Sequence, residues 1–135
     1  MDVFNSTVKQ LTTKIKDAQL TSVDLCKTYI QRIKKFEKDI KAWAHFDEKT
    51  LLDKAEESDN HRRSGKPLGL LHGIPVALKD IIGTFDMPTE CGTVLRKGMS
   101  ASQDAEIVDL LKSEGAIIMG KTSTSELASY TPAKT

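Results

Sequence analysis

Lys79 and Asp80 follow directly on the apolar run Ile74-Pro75-Val76-Ala77-Leu78, and this junction is the place in the chain where residue types and spacing most plainly offer chemistry. A lysine at the end of a strand is aimed by the backbone. If neighbouring elements cover such a strand, the ammonium sheds part of its hydration, its pKa falls, and an inert cation becomes able to accept a proton near neutral pH. Lys79 is therefore the candidate general base. The plainer alternative is a solvated strand end that keeps a sheet edge soluble, and the strand alone does not separate the two.

A second stretch spells a different chemistry. Gly115-Ala116-Ile117-Ile118-Met119-Gly120-Lys121-Thr122 satisfies the letters of a phosphate-binding loop. Such a loop must coil so that successive amides point at the phosphate, and it must follow a strand and open a helix. Ala116 to Met119 is itself strand-like and is preceded by a helical pattern, so Lys121 is not expected to hold a nucleotide. His45, His61 and His72 have no helical ligand spacing, and Cys26 and Cys91 belong to no paired pattern, so neither zinc nor a disulfide is indicated. Cys26 falls on an apolar helix face. Cys91 sits in a glycine-flanked loop with no local group to activate it. His72 is expected to bond loop backbone, and His61 to lie in an exposed loop.

The elements that must position Lys79 can be read from periodicity. Val8, Leu11, Ile15 and Ala18 recur at helical spacing, and Thr21 with Asp24 supplies a start signal for a second helix carrying Val23, Cys26, Ile30 and Ile33. Ile40, Ala42, Ala44 and Phe46 alternate, which predicts a short strand with those residues on one side. A third helix around Leu51, Leu52 and Ala55 is expected to dissolve into the polar run Ser58 to Gly65. From Leu68 the texture changes to a buried strand at Ile74 to Leu78 and a long loop from Gly83 to Ser102. A helix then opens at Ser102 and Asp104, with Ile107, Leu110 and Leu111 inward, and closes at Gly115; a second buried strand follows at Ala116 to Met119. Asp109, Lys112 and Glu114 are expected on the solvent face. This order predicts an α/β fold with helices on a parallel or mixed sheet.

Composition narrows the function classes. The chain has 135 residues, is 39% hydrophobic and 29% charged, and carries a formal net charge of +1. That length suits a single modest core or part of a larger domain. The balanced charge gives no reason to expect nucleic acid, and the run Arg32 to Lys38 reads as a solvated helix face. No segment approaches the roughly 20 apolar residues of a membrane span, and the first residues lack a signal-peptide layout, so a cytoplasmic location is the expectation.

Several blocks together closely resemble the amidase signature family. These are Pro67-Leu68-Gly69-Leu70-Leu71-His72-Gly73-Ile74-Pro75 with Val76 to Asp80, then Gly83, Pro88 and Cys91-Gly92-Thr93. Asp104-Ala105, Glu114 to Thr122 and Ser125-Glu126-Leu127-Ala128 follow in family order and spacing. Leu20 to Leu25 with Arg32-Ile33 is similar to the family's helical lead-in. The resemblance implies an amidase-signature-like mixed sheet flanked by helices, of which residues 1–135 form the N-terminal part: 1–66 a mainly helical lead-in, 67–135 a strand-loop-helix-strand core.

By the same resemblance, Lys79 matches the family's catalytic lysine in a Ser-Ser-Lys mechanism that cleaves the carbon-nitrogen bond of carboxamides. No metal or organic cofactor is implied, and the implied partner is a small-molecule amide. The family's glycine- and serine-rich motif, which holds the nucleophile and the bridging serine, comes after this point, and the sequence reaches Thr135 without it. A polypeptide of these residues alone is therefore expected to be inactive, with an unpaired sheet edge that favours self-association. Ser123, Ser125 and Ser129 lack the flanking glycines of that motif and read as loop and cap residues. Thr122 and Ser123 follow a strand end, where α/β proteins build sites, and are the candidate substrate-contacting residues. The tail Ser129 to Thr135 looks more like the general amidases than like the corresponding stretch of the glutamyl-tRNA amidotransferases. A non-catalytic binding or assembly module is the remaining alternative.

Overall fold

The computed structural model describes residues 3–129. Helix α1 (Val8–Lys16) starts where Thr7 and Gln10 form a reciprocal capping box, the Gln10 amide donating to Thr7 Oγ1 at 3.2 Å and the Thr7 amide to Gln10 Oε1 at 2.7 Å. Its inward stripe is Leu11 and Ile15. Helix α2 (Ser22–Ile40) begins at the predicted Thr21 cap, whose Oγ1 accepts from the Asp24 amide at 2.9 Å. Two more of its unpaired first-turn amides, those of Ser22 and Val23, donate to the buried Asp59 carboxylate at 2.9 and 3.1 Å. That carboxylate sits on helix α3 (Glu48–Arg63), so a charge-dipole contact joins the two helices.

Three strands form one mixed sheet: β1 (Trp43–Phe46), β2 (Pro75–Lys79) and β3 (Ile117–Thr122), in the order β1-β3-β2. β3 runs antiparallel to β1 and parallel to β2. Helix α4 (Glu106–Ser113) returns the chain from β2 to β3. Cys26, Ile30, Leu51 and Ala55 of α2 and α3 pack with Ile117 and Met119, while Ile118 packs with Leu78, Met87 and Val108 of α4. The central strand therefore carries core on both sides, as an α/β layout requires. Asp86 lies between Lys54 of α3 at 2.7 Å and Lys112 of α4 at 4.0 Å, which moors the long loop.

Several expectations need correcting. Ile40 belongs to α2 and is 63% exposed, and Ala44 faces out, because a register shift between Trp43 and His45 turns Trp43 and Phe46 toward the core instead. The polar run expected to be loop continues α3 to Arg63, since Asp59 is satisfied by α2 and His61 by the Pro67 carbonyl at 3.0 Å. His61 is thus helical. α4 turns Val108 and Leu111 inward and leaves Ile107 and Leu110 exposed; it starts at Glu106, and Asp104 instead accepts from the Phe85 amide at 2.8 Å. Glu114 is half-buried rather than on the solvent face, accepting from the Leu70 amide at 2.8 Å. β2 is an outer strand among the described residues, with Ala77 exposed and Leu78 buried.

Burial pushes the Cys26 thiol up from 9.0 to about 12, with the Asp59 carboxylate adding to the shift. Below pH 9 the thiol is protonated in both states and this contribution to stability is complete. As pH rises from 9 through 12 the unfolded chain ionises first, so stability is lost in that window. Chemical unfolding at stepped pH should show the loss, and Cys26→Ala should show a smaller one; identical slopes would exclude Cys26 as its source.

Candidate active site

The lysines at the C-terminal ends of the parallel strands, Lys79 closing β2 and Lys121 next to last in β3, are sent to opposite sides of the sheet. In β2, Leu78 is buried and Lys79 is exposed. In β3, a register shift pairs Val76 with Ile118 but Ala77 with Gly120, so Met119 is skipped and the alternation changes phase. Gly120 permits this, because a Cβ there would lie 2.5 Å from the His45 carbonyl oxygen and 2.9 Å from the Trp43 ring. Beyond the bulge Leu78 pairs with Lys121 and Lys79 with Thr122. Neighbours in a parallel pair project to the same side, so Lys121 follows Leu78 and Thr122 accompanies Lys79.

Lys79, Thr122 and Ser123, separated in the sequence, are therefore brought together. The Lys79 ammonium donates to the Ser123 carbonyl oxygen. Thr122 Oγ1 donates to the Leu78 carbonyl at 3.3 Å, and Ser123 is tied to the α2–β1 turn by its amide to Ala42 at 2.8 Å and its hydroxyl to Lys41 at 3.0 Å. A cleft of ≈ 740 Å³ opens beside Ser123, walled in part by Trp43, Asp80, Glu90, Thr93 and Thr124. Lys79 itself is exposed, and the covering of its strand expected from the apolar run is not supplied by residues 3–129. The reason is geometric: β2 is outer, and Lys79 stands on the side away from Leu78. Ser125 and Ser129 flank a short 3-10 turn, Glu126–Ala128, as residues of a loop.

Sequence reasoning missed the buried charge beside this group. Lys121 is 0% exposed, with Nζ 3.3 Å from Asp80 Oδ1. It also donates to Thr89 Oγ1 at 2.8 Å, the Pro88 carbonyl at 3.1 Å and Thr84 Oγ1 at 3.5 Å. Burial holds its pKa below the ordinary lysine range, an effect that Asp80 partly offsets. The one signal that could have pointed to it was the apolar run Ala116 to Met119 followed, after Gly120, by a lysine; the bulge that buries that lysine is invisible in the run. The residues Ala116 to Met119 form no amide cradle, and the Lys121 donors are consumed inside the protein. Titration with ATP or GTP and magnesium should accordingly show no saturable binding, and a micromolar affinity lost in Lys121→Ala would contradict this.

His72 is buried in the turn before β2, its Nε2 lying 3.1 Å from the Ser58 carbonyl and 3.2 Å from Ser58 Oγ. It therefore bonds backbone as expected, but that of helix α3. Desolvation lowers its pKa. The adjacent Gly73 adopts φ +75°, and a Cβ there would meet Ser22 Oγ at 2.2 Å, which explains a glycine between this histidine and the strand. Among the described residues no group of three or more His, Cys, Asp or Glu side chains could hold a metal ion, and no helix is long and apolar enough to cross a membrane. The tail from Tyr130 to Thr135, used above to compare subtypes, lies outside the described residues.

Comparison with known proteins places this geometry in a family. Residues 24–135 match the model of the Amidase family. The chain is 38% identical over 115 residues to the A-type subunit of the glutamyl-tRNA(Gln) amidotransferase of Rhodopirellula baltica, covering 85% of this chain and 23% of that protein. It is 37% identical over 126 residues to the mitochondrial counterpart from Mus musculus, covering 93% and 24%. Among solved structures, native peptide amidase from Stenotrophomonas maltophilia superposes with a TM-score of 0.84 at 34% identity, over 90% of this chain and 25% of that one. An amidase family protein from Bacillus anthracis gives 0.85 at 35%, over 97% and 27%. The chain thus spans about a quarter of the length of the relatives it matches. By its sequence over most of its length and by its fold, the chain belongs to the amidase family.

Proposed function

We propose that this chain supplies the lysine base of an amidase-signature enzyme that cleaves the carbon-nitrogen bond of small carboxamides through a Ser-Ser-Lys mechanism. The observation that carries the reading is the placement of Lys79: at the C-terminal end of a parallel strand, in register with Thr122, with its ammonium at the Ser123 carbonyl. Parts of the domain outside this span would supply the two serines and would cover Lys79. A neutral Lys79 then takes a proton from the bridging serine, which takes one from the nucleophile as it attacks the carbonyl carbon. The protonated lysine returns that proton through the same serine to the departing amine, which leaves the acyl group on the nucleophilic serine; water, deprotonated by the same relay, then cleaves that ester to a carboxylate and regenerates the serine hydroxyl. The oxyanion is stabilised by backbone amides, so the scheme uses no cofactor. Thr122 and Ser123 line the approach of the substrate, and a cytoplasmic location belongs to the same proposal.

A second reading is favoured by the names of the sequence relatives: a protein similar to the A-type subunit of glutamyl-tRNA(Gln) amidotransferase. Both readings use the same lysine. They separate on the fate of the amine: a simple amidase passes the acyl group to water and releases the amine into solution, whereas the amidotransferase reading requires dependence on glutamyl-tRNA(Gln) as the amine's acceptor.

The test is labelling with a fluorophosphonate, which reports an activated serine. A polypeptide with the whole amidase domain should label at one serine beyond residue 135, while residues 1–135 alone should neither label nor hydrolyse a panel of carboxamides, and should self-associate on size-exclusion chromatography. Absence of labelling in the whole domain would favour the non-catalytic module. Turnover by residues 1–135 that disappears in Lys79→Ala would show that a serine within this span completes the site.

A further inference from the structure

We propose that Lys121 and Asp80 are positioning residues for Lys79: their buried contact clamps the C-terminal ends of β2 and β3 and so sets the direction in which the Lys79 side chain is presented. The proposal rests on the reading of Lys79 as the base.

The clamp is made of short, directional contacts from three segments. The Lys121 ammonium has three protons, and its contacts to Asp80 Oδ1, Thr89 Oγ1 and the Pro88 carbonyl, with Thr84 Oγ1 at 3.5 Å, occupy all of them. Asp80 is held in turn. Its amide donates to the Thr122 carbonyl at 3.0 Å, its carbonyl accepts from the Cys91 amide at 3.0 Å, and Oδ1 accepts from the Glu90 amide at 3.3 Å. Asp80 and Lys121 are 2% and 0% exposed, so this contact is shielded from water.

Register turns that clamp into an aiming device. Lys79 immediately precedes Asp80 on one strand and pairs with Thr122, the residue that immediately follows Lys121, on the other. The backbone is thus anchored on both strands at positions adjoining Lys79, and the anchored side chains point away from it. Leu78, paired with Lys121, is buried on the clamped side and completes the contrast.

Stability alone does not account for ionic residues here. Well-packed apolar replacements for a buried ion pair are often neutral or stabilising, whereas the pair constrains distance and angle in a way that apolar packing does not. Geometry of that kind matters for a base, because a displacement of about 1 Å costs on the order of 10²-fold in rate.

The experiment uses a polypeptide carrying the whole amidase domain and the double substitution Lys121→Met/Asp80→Leu, which removes the charges together and leaves neither unpaired. Amide hydrolysis should show kcat reduced by about ten- to hundredfold with KM within about twofold. In a Lys79→Ala background the same double substitution should cause no further loss, in turnover or in the rate of fluorophosphonate labelling, because the group it orients is gone. Thr89→Val keeps both charges and removes the shortest Lys121 hydrogen bond; it should lower kcat in the same direction and with the same dependence on Lys79, and it serves if the double variant does not fold. Equal losses in both backgrounds would mean a purely structural role and overturn the proposal, as would an unchanged kcat. Should Lys79→Ala itself retain full turnover, the reading of the base fails and the proposal with it. A crippled Lys79→Ala beside unimpaired clamp variants sinks the clamp alone.

Discussion

Lys79→Ala, made in a polypeptide that carries the whole amidase domain, is expected to lower amide turnover by about 10²–10⁴-fold, the usual contribution of a positioned general acid-base. The unfolding midpoint should stay where it is. Within residues 3–129 Lys79 ends an outer strand and its ammonium donates to one backbone carbonyl, so the substitution strands no buried charge in this span, and the parts of the domain that cover it lose a hydrogen bond and not a core contact. Loss of activity without loss of fold is what distinguishes a catalytic lysine from a solubilising strand end. Lys79→Arg should not restore turnover, because a guanidinium stays protonated and cannot accept the bridging proton. Hydrolysis within about tenfold of the unsubstituted rate in Lys79→Ala would remove this residue from the mechanism.

The largest effect on stability is expected one residue further on. Asp80→Ala takes away the carboxylate 3.3 Å from Lys121 Nζ and leaves a fully buried ammonium with neutral partners only. Breaking one side of a buried pair typically costs about 3–5 kcal/mol, most of it the penalty of the abandoned charge. The pH dependence supplies the check. Lys121 has a folded-state pKa below its ordinary value of 10.5, and Asp80 is among the groups that raise it. Removing Asp80 lowers the folded value further while the unfolded value stays put. Between the two, the unfolded state binds more protons, so the stability of Asp80→Ala should rise with pH toward 10.5 and the deficit should narrow. Thermal unfolding of both proteins across that range measures it. A deficit independent of pH would assign the loss to packing and not to the stranded charge.

These two neighbours differ in how far the sequence reaches them. Lys79 stood out as a candidate because an apolar run, a lysine, and the glycines and prolines that punctuate them lie in one contiguous stretch. The start of α2 was legible for the same local reason, since Thr21 satisfies an amide only three residues away. So were the α/β order and the mixed sheet, which follow from alternating strand and helix patterns and from family likeness.

What tertiary structure decided were matters of phase and of distant partners. The polar end of α3 could be helical only because Asp59 finds two amides on α2, 36 and 37 positions away in the chain. His61 and Glu114 likewise depend on the loop before β2. The side to which Trp43 and Phe46 point was set by a bulge opposite β3. Most consequential is the bulge at Gly120. The sequence by itself determined two apolar runs, Ile74 to Leu78 and Ala116 to Met119, each followed within two residues by a lysine; only the packed sheet, by skipping Met119 where β1 comes too close for a side chain, sent Lys121 to the buried side, opposite Lys79. Side-chain alternation has a period of two, so one inserted residue exchanges the faces, and no local pattern records where that insertion falls.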